Sequence, residues 1–202
     1  MKQNKNQKSN MGGNKMLVHR GTTIIETSRL ILRPFVMDDS TNMFNNWASD
    51  SEVTKNLSWR AHSDATVTNG LMKVWVDSYS SNETYHWGIV CKDNGNQVIG
   101  SIGAVAIDDY LEQAHIGYCI SKKYWNKGIT SEALASVIDY LFSCGFMRIS
   151  AYHDILNPNS GKVMQKCGMQ FEGVFRNAQK NNLGEFCSIT QYAILKSDVK
   201  KS

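Results

Sequence analysis

Residues 115–134 read HIGYCISKKYWNKGITSEAL, and this stretch decides the fold. Its first part, β-branched and aromatic up to Ile120, predicts a strand, and the apolar spacing over residues 133–142 predicts a helix that ends before Gly145. Between them lies a short polar segment that contains Gly128. Such a junction gathers unpaired amide N–H groups at the helix start, where the helix dipole attracts negative charge.

Two interpretations of this junction stay open on its residues alone. Gly128 can simply permit a tight turn, with Ser131 capping a core helix. Alternatively, Gly128 lets the backbone approach a phosphate, Lys127 adds a positive charge, and the hydroxyl groups of Thr130 and Ser131 donate hydrogen bonds. The chain has no G-x-x-x-x-G-K-[ST], and no G-x-G-x-x-G at a strand-to-helix junction. The ligand that remains for the second interpretation is a coenzyme with a diphosphate and no hydrolysis motif.

The rest of the chain predicts an α/β (α+β) domain with a mixed sheet. A strand at residues 26–35 is followed by two helices, one with a cap at Asp38 or Asp39 and one that starts at Ser63 or Asp64. Three antiparallel strands precede the glycine junction. After the central helix we expect a strand, a helix and two strands, at residues 148–153, 157–168, 171–178 and 186–195. The order β-α-α-β-β-β-α-β-α-β-β contains seven strands and four helices.

Length and composition fit a single globular domain, and the charge balance argues against a nucleic-acid partner. The 202 residues, 42% of them hydrophobic, fit a single domain, which we place at residues 21–198. Residues 1–20 contain no acid and are interpreted as a disordered or added tail, with Met16 as an alternative start. Without the five bases of this tail, 17 Lys and Arg face 18 Asp and Glu. A nucleic-acid-binding face is therefore not predicted.

The pattern of apolar residues and cysteines points to the cytoplasm. No apolar run has the length of a membrane helix, and the N-terminal stretch lacks the core of a secretion signal. The five cysteines are spread out, without a C-x-x-C pair, and no H-E-x-x-H occurs among the five histidines. We therefore predict no metal site and reduced thiols.

Four stretches of the chain resemble, in order, the GNAT superfamily of acetyl-CoA-dependent N-acetyltransferases. They are TSRLILRPF at 27–35, the stretch at 115–134, NPNSGKVMQKCGMQFEG at 157–173 and YAIL at 192–195. The branch that acetylates the N-terminal alanine or serine of ribosomal proteins is more similar still. The resemblance implies acetyl-CoA as co-substrate and a GNAT-like, mostly antiparallel sheet flanked by helices.

The resemblance also implies the residues that bind the coenzyme. The family's pyrophosphate loop, R/Q-x-x-G-x-G/A, falls on residues 125–130, where only Gly128 matches strictly. The strand end at Cys119, Ile120 and Ser121 is expected to separate from its neighbour and to leave backbone groups for the pantetheine arm. The full set implied is Cys119, Ile120, Ser121, Asn126, Lys127, Gly128, Ile129, Thr130, Ser131, Asn157 and Ser160.

Acetyl transfer to an amine needs an acceptor for the amine's proton and a donor for the departing thiolate. Related enzymes use a glutamate in an A-E-I context, where this chain has His115, which can take the same proton or merely pack in a strand. Glu112, His153 and water are the alternatives for the base. Ser160 matches the serine to which the ribosomal-protein branch assigns the acid role, but it can also bond within its own helix turn. Met164, which stands where many members have a tyrosine, cannot donate.

The sequence leaves several candidates for the acceptor amine. Trp59 lies in a loop-like segment where contact with the acceptor is expected. The leading hypothesis is direct attack, in a ternary complex, by a protein or peptide N-terminal amine. The alternatives are a small amine such as a polyamine, amino acid or aminoglycoside, and an acyl-CoA-binding module without catalysis. A homodimer is compatible with the sequence, and no membrane partner is expected.

Overall fold

A computed structural model describes residues 16–199 of the protein, and its centre is one eight-stranded sheet. The strands are β1 (Ile25–Glu26), β2 (Leu30–Arg33), β3 (His86–Cys91), β4 (Val98–Asp108), β5 (Gln113–Ile120), β6 (Arg148–Asp154), β7 (Gln170–Lys180) and β8 (Phe186–Leu195). The helices are α1 (Asp39–Met43), α2 (Ser51–Thr54), α3 (Ala65–Ser78), α4 (Ile129–Cys144) and α5 (Pro158–Lys166). A π-helical turn, Phe44–Ala48, continues α1.

The strand order is β1-β2-β3-β4-β5-β6-β8-β7, and one pair of neighbours departs from the antiparallel arrangement of the others. Every neighbouring pair is antiparallel except β5 and β6, which are parallel. Parallel neighbours need a crossover connection, and α4 provides it. This confirms the mixed, mostly antiparallel sheet expected from the order of elements.

Two apolar layers hold the helices against the sheet. On one face, α4 and α5 cover the larger core, and the stripe predicted for the central helix is buried there: Ala133, Leu134, Val137, Ile138, Leu141 and Phe142. On the other face, α1 and α3 enclose a second core around Trp47 and Met72. Each layer removes apolar surface from water, at about 25 cal/mol per Å² buried. The site described below lies between these layers.

The count of elements and one helix cap differ from the sequence predictions. The first predicted strand is divided into β1 and β2, which pair with each other, so that eight strands replace seven. The short helix α2 was not predicted, so that five α-helices replace four. Neither predicted acid caps α1 with its side chain. Asp39 is instead buried in an ion pair with Arg33, at 2.7 Å. Asp64 does cap α3, by accepting from the amides of Thr66 and Val67.

Residues 16–20 belong to the folded part, in contrast to the boundary predicted at residue 21. The amide of Val18 donates to the carbonyl of Cys144 at 2.8 Å, and the amide of Arg20 donates to the Tyr85 hydroxyl at 3.1 Å. Residues 1–15 of the predicted tail lie outside the described residues. Within residues 16–199, no helix has both the length and the apolar content needed to span a bilayer.

Candidate active site

The site begins where β5 and β6 stop pairing. The two strands are in register only from Gln113 opposite Arg148 to His115 opposite Ser150. Beyond His115, β5 continues to Ile120 while β6 remains paired with β8 alone. The strands therefore form a fork, and the side of β5 that faces β6 is open from Ile116 onward.

The backbone groups on the open side are not quite those that the sequence implied. The amide of Ser121 donates to the carbonyl of Ile99, at 2.8 Å, so this group is paired with β4 and not open on the side of β6. Because an antiparallel ladder alternates, this bond turns the backbone of Cys119 toward β4 as well. The backbones of Tyr118 and Ile120 then face the fork. One of the three predicted residues, Ile120, thus presents its backbone there, together with an unpredicted one, Tyr118.

The start of α4 lies beside this open edge. Asn126 and Gly128 both have left-handed backbones, with φ of 59° and 74°, and Gly128 is the N-cap. No side chain caps the first turn of α4. Its first amide N–H groups, at Ile129, Thr130 and Ser131, have no partner within the helix and give the turn a partial positive charge. Gly128, Thr130 and Ser131 all line a cavity of about 1230 Å³.

Two side chains of the loop before α4, Trp125 and Lys127, form contacts with neighbouring parts of the chain. The Trp125 indole N–H donates to the carbonyl of Ile120, at 3.1 Å, and so ties the loop to the end of β5. This explains how a tryptophan can stand in the first position of the loop. The ammonium group of Lys127 lies 5.4 Å from the centre of the Tyr124 ring. Its positive charge is held by a cation–π contact, while the amides of α4 face the cavity.

An ion pair fixes the first turn of α4 to the turn between β1 and β2. Arg29 Nε lies 2.7 Å from a Glu132 carboxylate oxygen, and its Nη1 donates to the carbonyl of Lys127 at 3.1 Å. The Thr27 hydroxyl also donates to Glu132, at 2.6 Å. Although burial alone would raise it, these hydrogen bonds lower the pKa of Glu132 to about 2. The sequence showed TSR and TSEAL as separate motifs, and only the fold shows that they bind each other.

Replacing Glu132 tests this anchor. Because its pKa is lowered on folding, the Glu132 carboxylate stabilises the protein above pH 4.5, and this stabilisation is lost as the pH falls toward 2. We expect Glu132→Gln to lose less stability over that range than the wild type in urea titrations, and to bind CoA several-fold more weakly at pH 7 by calorimetry. Glu26→Gln, which breaks the exposed pair with Lys92, is the control. Unchanged CoA affinity in Glu132→Gln would contradict the anchoring role.

The opposite wall of the fork is the start of α5. Ser160 lies there with its Oγ 2.8 Å and its carbonyl oxygen 3.0 Å from the hydroxyl of Tyr118. Asn157 is the N-cap, but its side chain does not cap the helix, and it lines the cavity. Met164 is buried in the core, 1% exposed. The structure thus brings Asn157 and Ser160 to the fork and leaves Met164 outside it.

His115 occupies the last paired position before the fork opens. Its Nδ1 lies 3.0 Å from the Ser150 hydroxyl, and its ring stacks on Tyr152 with centroids 4.8 Å apart. Burial, with a smaller effect of Arg148, lowers the pKa of His115 below 6.5, so the ring is neutral at pH 7. If Nδ1 carries the hydrogen and donates to Ser150, Nε2 is left with a free lone pair. The cavity includes His115, which gives a proton acceptor access to the site.

The two other predicted bases lie elsewhere: Glu112 is outside the cavity, and His153 belongs to a different part of its lining. Glu112 sits before β5 in a left-handed conformation, with φ of 49°, and it does not line the cavity. Its prediction as a catalytic residue is not supported, because β5 carries it to the far end from Ile120. His153 points to the opposite face of β6 from Tyr152, where its ring stacks on Tyr192. Its Nδ1 bonds the backbone carbonyl of Asp154, at 2.7 Å.

The cavity extends past His115 to the loop before α3. Trp59 lines it, as expected, with its ring 5.4 Å from that of His62. His62 and His86 both line the cavity. Burial lowers the pKa of His62, and burial lowers the pKa of His86 to about 4. Asp154, nine-tenths buried, also lines the cavity and forms no ion pair with any described residue. Sequence reasoning missed Asp154, since only its place on β6 turns it inward.

A hairpin crosses this end of the cavity. The loop between β7 and β8 reaches the segment after α2, where Arg60 Nε donates to the carbonyl of Asn182 at 2.8 Å. The Asn182 side chain donates in turn to the carbonyl of Thr54, at 3.0 Å. These two bonds form a bridge between distant parts of the chain. Within the described part of the chain, no three His, Cys, Asp or Glu side chains assemble into a metal-binding group.

Comparison with known proteins explains this arrangement. The family model described as the acetyltransferase (GNAT) domain matches residues 29–170. The chain belongs to the GNAT acetyltransferase family. The chain is 32% identical to the uncharacterized N-acetyltransferase YoaA of Bacillus subtilis, over 86% of this chain and 97% of YoaA. This likeness in sequence agrees with an N-acetyltransferase enzyme.

Solved GNAT structures have the same fold. An acetyltransferase (GNAT family) from Bacillus anthracis superposes with a TM-score of 0.75 at 26% identity, over 87% of this chain and 99% of that one. A ribosomal-protein-S5-alanine acetyltransferase from Vibrio fischeri superposes with a TM-score of 0.76 at 21% identity, over 89% of this chain and all of that one. The GNAT assignment and its mixed sheet are therefore confirmed.

Proposed function

We propose that this GNAT protein transfers an acetyl group from acetyl-CoA to the N-terminal amine of a protein or peptide, by direct attack in a ternary complex. The observation that carries the proposal is the fork, since its open β5 edge lies beside the uncapped start of α4. A site of action in the cytoplasm is part of the proposal.

The residues of the fork suit acetyl-CoA. A helix start with free amides and left-handed residues before it binds phosphate oxygens, and Gly128, Ile129, Thr130 and Ser131 would hold the pyrophosphate. An open strand edge binds an amide-containing chain, and the backbone of Tyr118 and the amide of Ile120 would pair with the pantetheine arm, since the Ile120 carbonyl already accepts from Trp125. Asn157, on α5, lines the opposite side. The coenzyme, when bound, supplies the acetyl thioester.

The side chains near the fork can serve the transfer. A neutral His115 can take the proton of the attacking amine, because burial keeps its pKa below 6.5. An N-terminal amine has a pKa of about 8, so a weak base suffices at neutral pH. Ser160 can donate to the sulfur as the thiolate departs. No cysteine is required as a nucleophile.

The choice of an N-terminal amine rests on the acceptor end of the cavity. Its walls include the neutral rings of His62 and His86 and the indole of Trp59. Three acids line it: Asp154 is buried, whereas Glu52 and Glu83 are exposed and Glu52 already pairs with Lys122, so Asp154 offers one buried carboxylate to one ammonium group. A polycation would need several carboxylates to pair its charges. The name of the Vibrio fischeri protein, an S5-alanine acetyltransferase, supports the same choice by analogy of fold.

A small amine is the second candidate, and the bridge between Arg60 and Asn182 favours it. Two hydrogen bonds tie the loop between β7 and β8 to the segment around α2, next to Trp59 and Asn181 of the cavity lining, and we infer that they restrict the exit of a long peptide. A single amino acid or another small amine would fit without opening them. The two candidates therefore differ in whether the bridge must open.

A panel of acceptors decides between these candidates. Release of CoA thiol is measured with pentapeptides of varied N-terminal residue, with the corresponding amino acid amides, and with spermidine and an aminoglycoside. Turnover of the pentapeptides supports the proposal, and turnover of small amines alone supports the second candidate. Binding of acetyl-CoA without turnover of any amine would indicate a non-catalytic acyl-CoA-binding module. Absence of CoA binding would overturn the assignment of the fork.

Removing the bridge tests its effect on acceptor size. Arg60→Ala deletes the donor to Asn182, and we expect it to raise kcat/KM for a pentapeptide several-fold relative to its N-terminal amino acid amide. Arg176→Ala, on the exposed strand β7, is the control. An unchanged ratio in Arg60→Ala would show that the bridge does not limit the size of the acceptor.

A further inference from the structure

The hydroxyl of Tyr118 and the side chain of Ser160 meet across the mouth of the fork. Tyr118 Oη lies 2.8 Å from Ser160 Oγ and 3.0 Å from the Ser160 carbonyl oxygen. Tyr118 comes from β5 and Ser160 from the first turn of α5, so these contacts join the two elements that bound the proposed coenzyme site. No motif in the sequence assigns a role to Tyr118.

The number of hydroxyl protons limits the hydrogen bonds that Tyr118 and Ser160 can donate. Each hydroxyl has one proton, and the carbonyl can only accept. If Tyr118 donates to the carbonyl, Ser160 donates its own proton to the Tyr118 oxygen and has none to offer elsewhere. If Tyr118 donates to Ser160 Oγ, the Ser160 proton is free for a third group. The two arrangements need no movement of the backbone.

The surroundings of Tyr118 keep its hydroxyl protonated, so that it remains a hydrogen-bond donor. Burial raises the pKa of Tyr118 above its usual value of 10, so that it keeps its proton at neutral pH. Met164, one turn further along α5, is buried and has no proton to donate. Ser160, backed by Tyr118, is therefore the hydroxyl donor that α5 presents to the open edge of β5.

We propose that Tyr118 is a positioning residue that holds Ser160 Oγ toward the fork, so that the Ser160 hydroxyl donates to the coenzyme sulfur as the thioester breaks. This inference rests on the proposed function. In that step the amine lone pair forms the N–C bond, and the electron pair of the C–S bond moves to sulfur. The amine proton passes to His115 or water, and the thiolate later takes a proton from solvent. Tyr118 keeps its proton throughout.

The pKa of the CoA thiol bound to the enzyme tests this role without an acceptor. It is measured as the pH dependence of alkylation of bound CoA by iodoacetamide, with the adduct quantified by mass spectrometry. A donor to the thiolate lowers the thiol pKa, and we expect a value about 1 below that of free CoA in the wild type. Ser160→Ala should restore the free value, and Tyr118→Phe should restore much of it. Tyr110→Phe, at a side chain 94% exposed, should behave as the wild type.

A double variant distinguishes positioning from simple packing. With an acceptor from the panel, Tyr118→Phe should lower kcat about tenfold with little change in the KM for acetyl-CoA. Tyr118→Phe/Ser160→Ala should be no slower than Ser160→Ala alone, because the two hydroxyls act as one unit. Urea midpoints check that all variants fold.

Three results would overturn the inference. Equal thiol pKa values in the wild type, Tyr118→Phe and Ser160→Ala, with CoA bound by all of them, would refute it and leave the proposed function standing. Additive losses of kcat in the double variant would also refute it. Failure of the wild type to bind CoA would overturn the proposed function and this inference together.

Discussion

Gly128→Val should weaken the binding of CoA by at least a hundredfold. The backbone of Gly128 has φ of 74°, which a β-branched residue adopts only at a cost of about 1–2 kcal/mol or more. A valine is therefore expected to pull the N-cap out of this conformation and to turn the first amides of α4 away from the cavity. Titration calorimetry with CoA measures the loss.

A second left-handed glycine provides the control. Gly95, in the turn between β3 and β4, has φ of 56°, with open space around the position of a Cβ. Gly95→Val should lose a similar amount of stability in urea, since the backbone strain is alike, yet bind CoA as the wild type does. Equal CoA affinity in the two valine variants would refute the role of the α4 start.

His115→Ala should lower kcat/KM at pH 7 by about a hundredfold or more, the usual contribution of a general base. The loss should shrink near pH 9.5, where the free amine is abundant. In the wild type the rate should fall as the pH drops through the pKa of His115, which burial holds below 6.5, because the ring then becomes protonated. The profiles are measured with one acceptor and saturating acetyl-CoA.

His115→Gln separates proton transfer from packing. Glutamine can still bond Ser150 but does not titrate, so the acidic limb assigned to His115 should be absent from its profile. His19→Gln, at a histidine outside the main cavity, should keep the wild-type profile. An equal loss at pH 7 and pH 9.5 in both His115 variants would assign His115 a structural role and leave water as the base.

The elements of the fold followed from local patterns because those patterns depend on neighbours in sequence. The apolar stripe of α4 has helical spacing. The helix was predicted to start near residue 129 and to end at Gly145, and it spans Ile129–Cys144. The start of α5 after Asn157 and the strands β6 and β8 were predicted on the same basis. Asp39 failed as a cap because Arg33, six residues earlier at the end of β2, binds its carboxylate, and the pattern of a helix cap does not include that strand residue.

The site was predictable only as far as each motif could be recognised by itself. His115, Gly128 and Ser160 were candidates from the sequence, and the structure places all three along one cavity. Glu112, at the far end of β5, does not line this cavity. Tyr118 was missed because its role depends on a residue 42 positions away. Only the register of β5 on β4 shows that the backbone of Tyr118, and not that of Ser121, faces the open side.

The sequence by itself determined the order of the main strands and helices, apart from the division of the first strand and the short helix α2, together with the helix start at Gly128 and the chemical types available. Spacing and side-chain chemistry are local properties. The tertiary structure alone decided that β5 and β6 separate after His115, that Arg29 and Glu132 fix the start of α4, and that Tyr118 meets Ser160. These contacts join segments far apart in the chain. They arise from the packing of α4 and α5 on one face of the sheet, which no short stretch of sequence encodes.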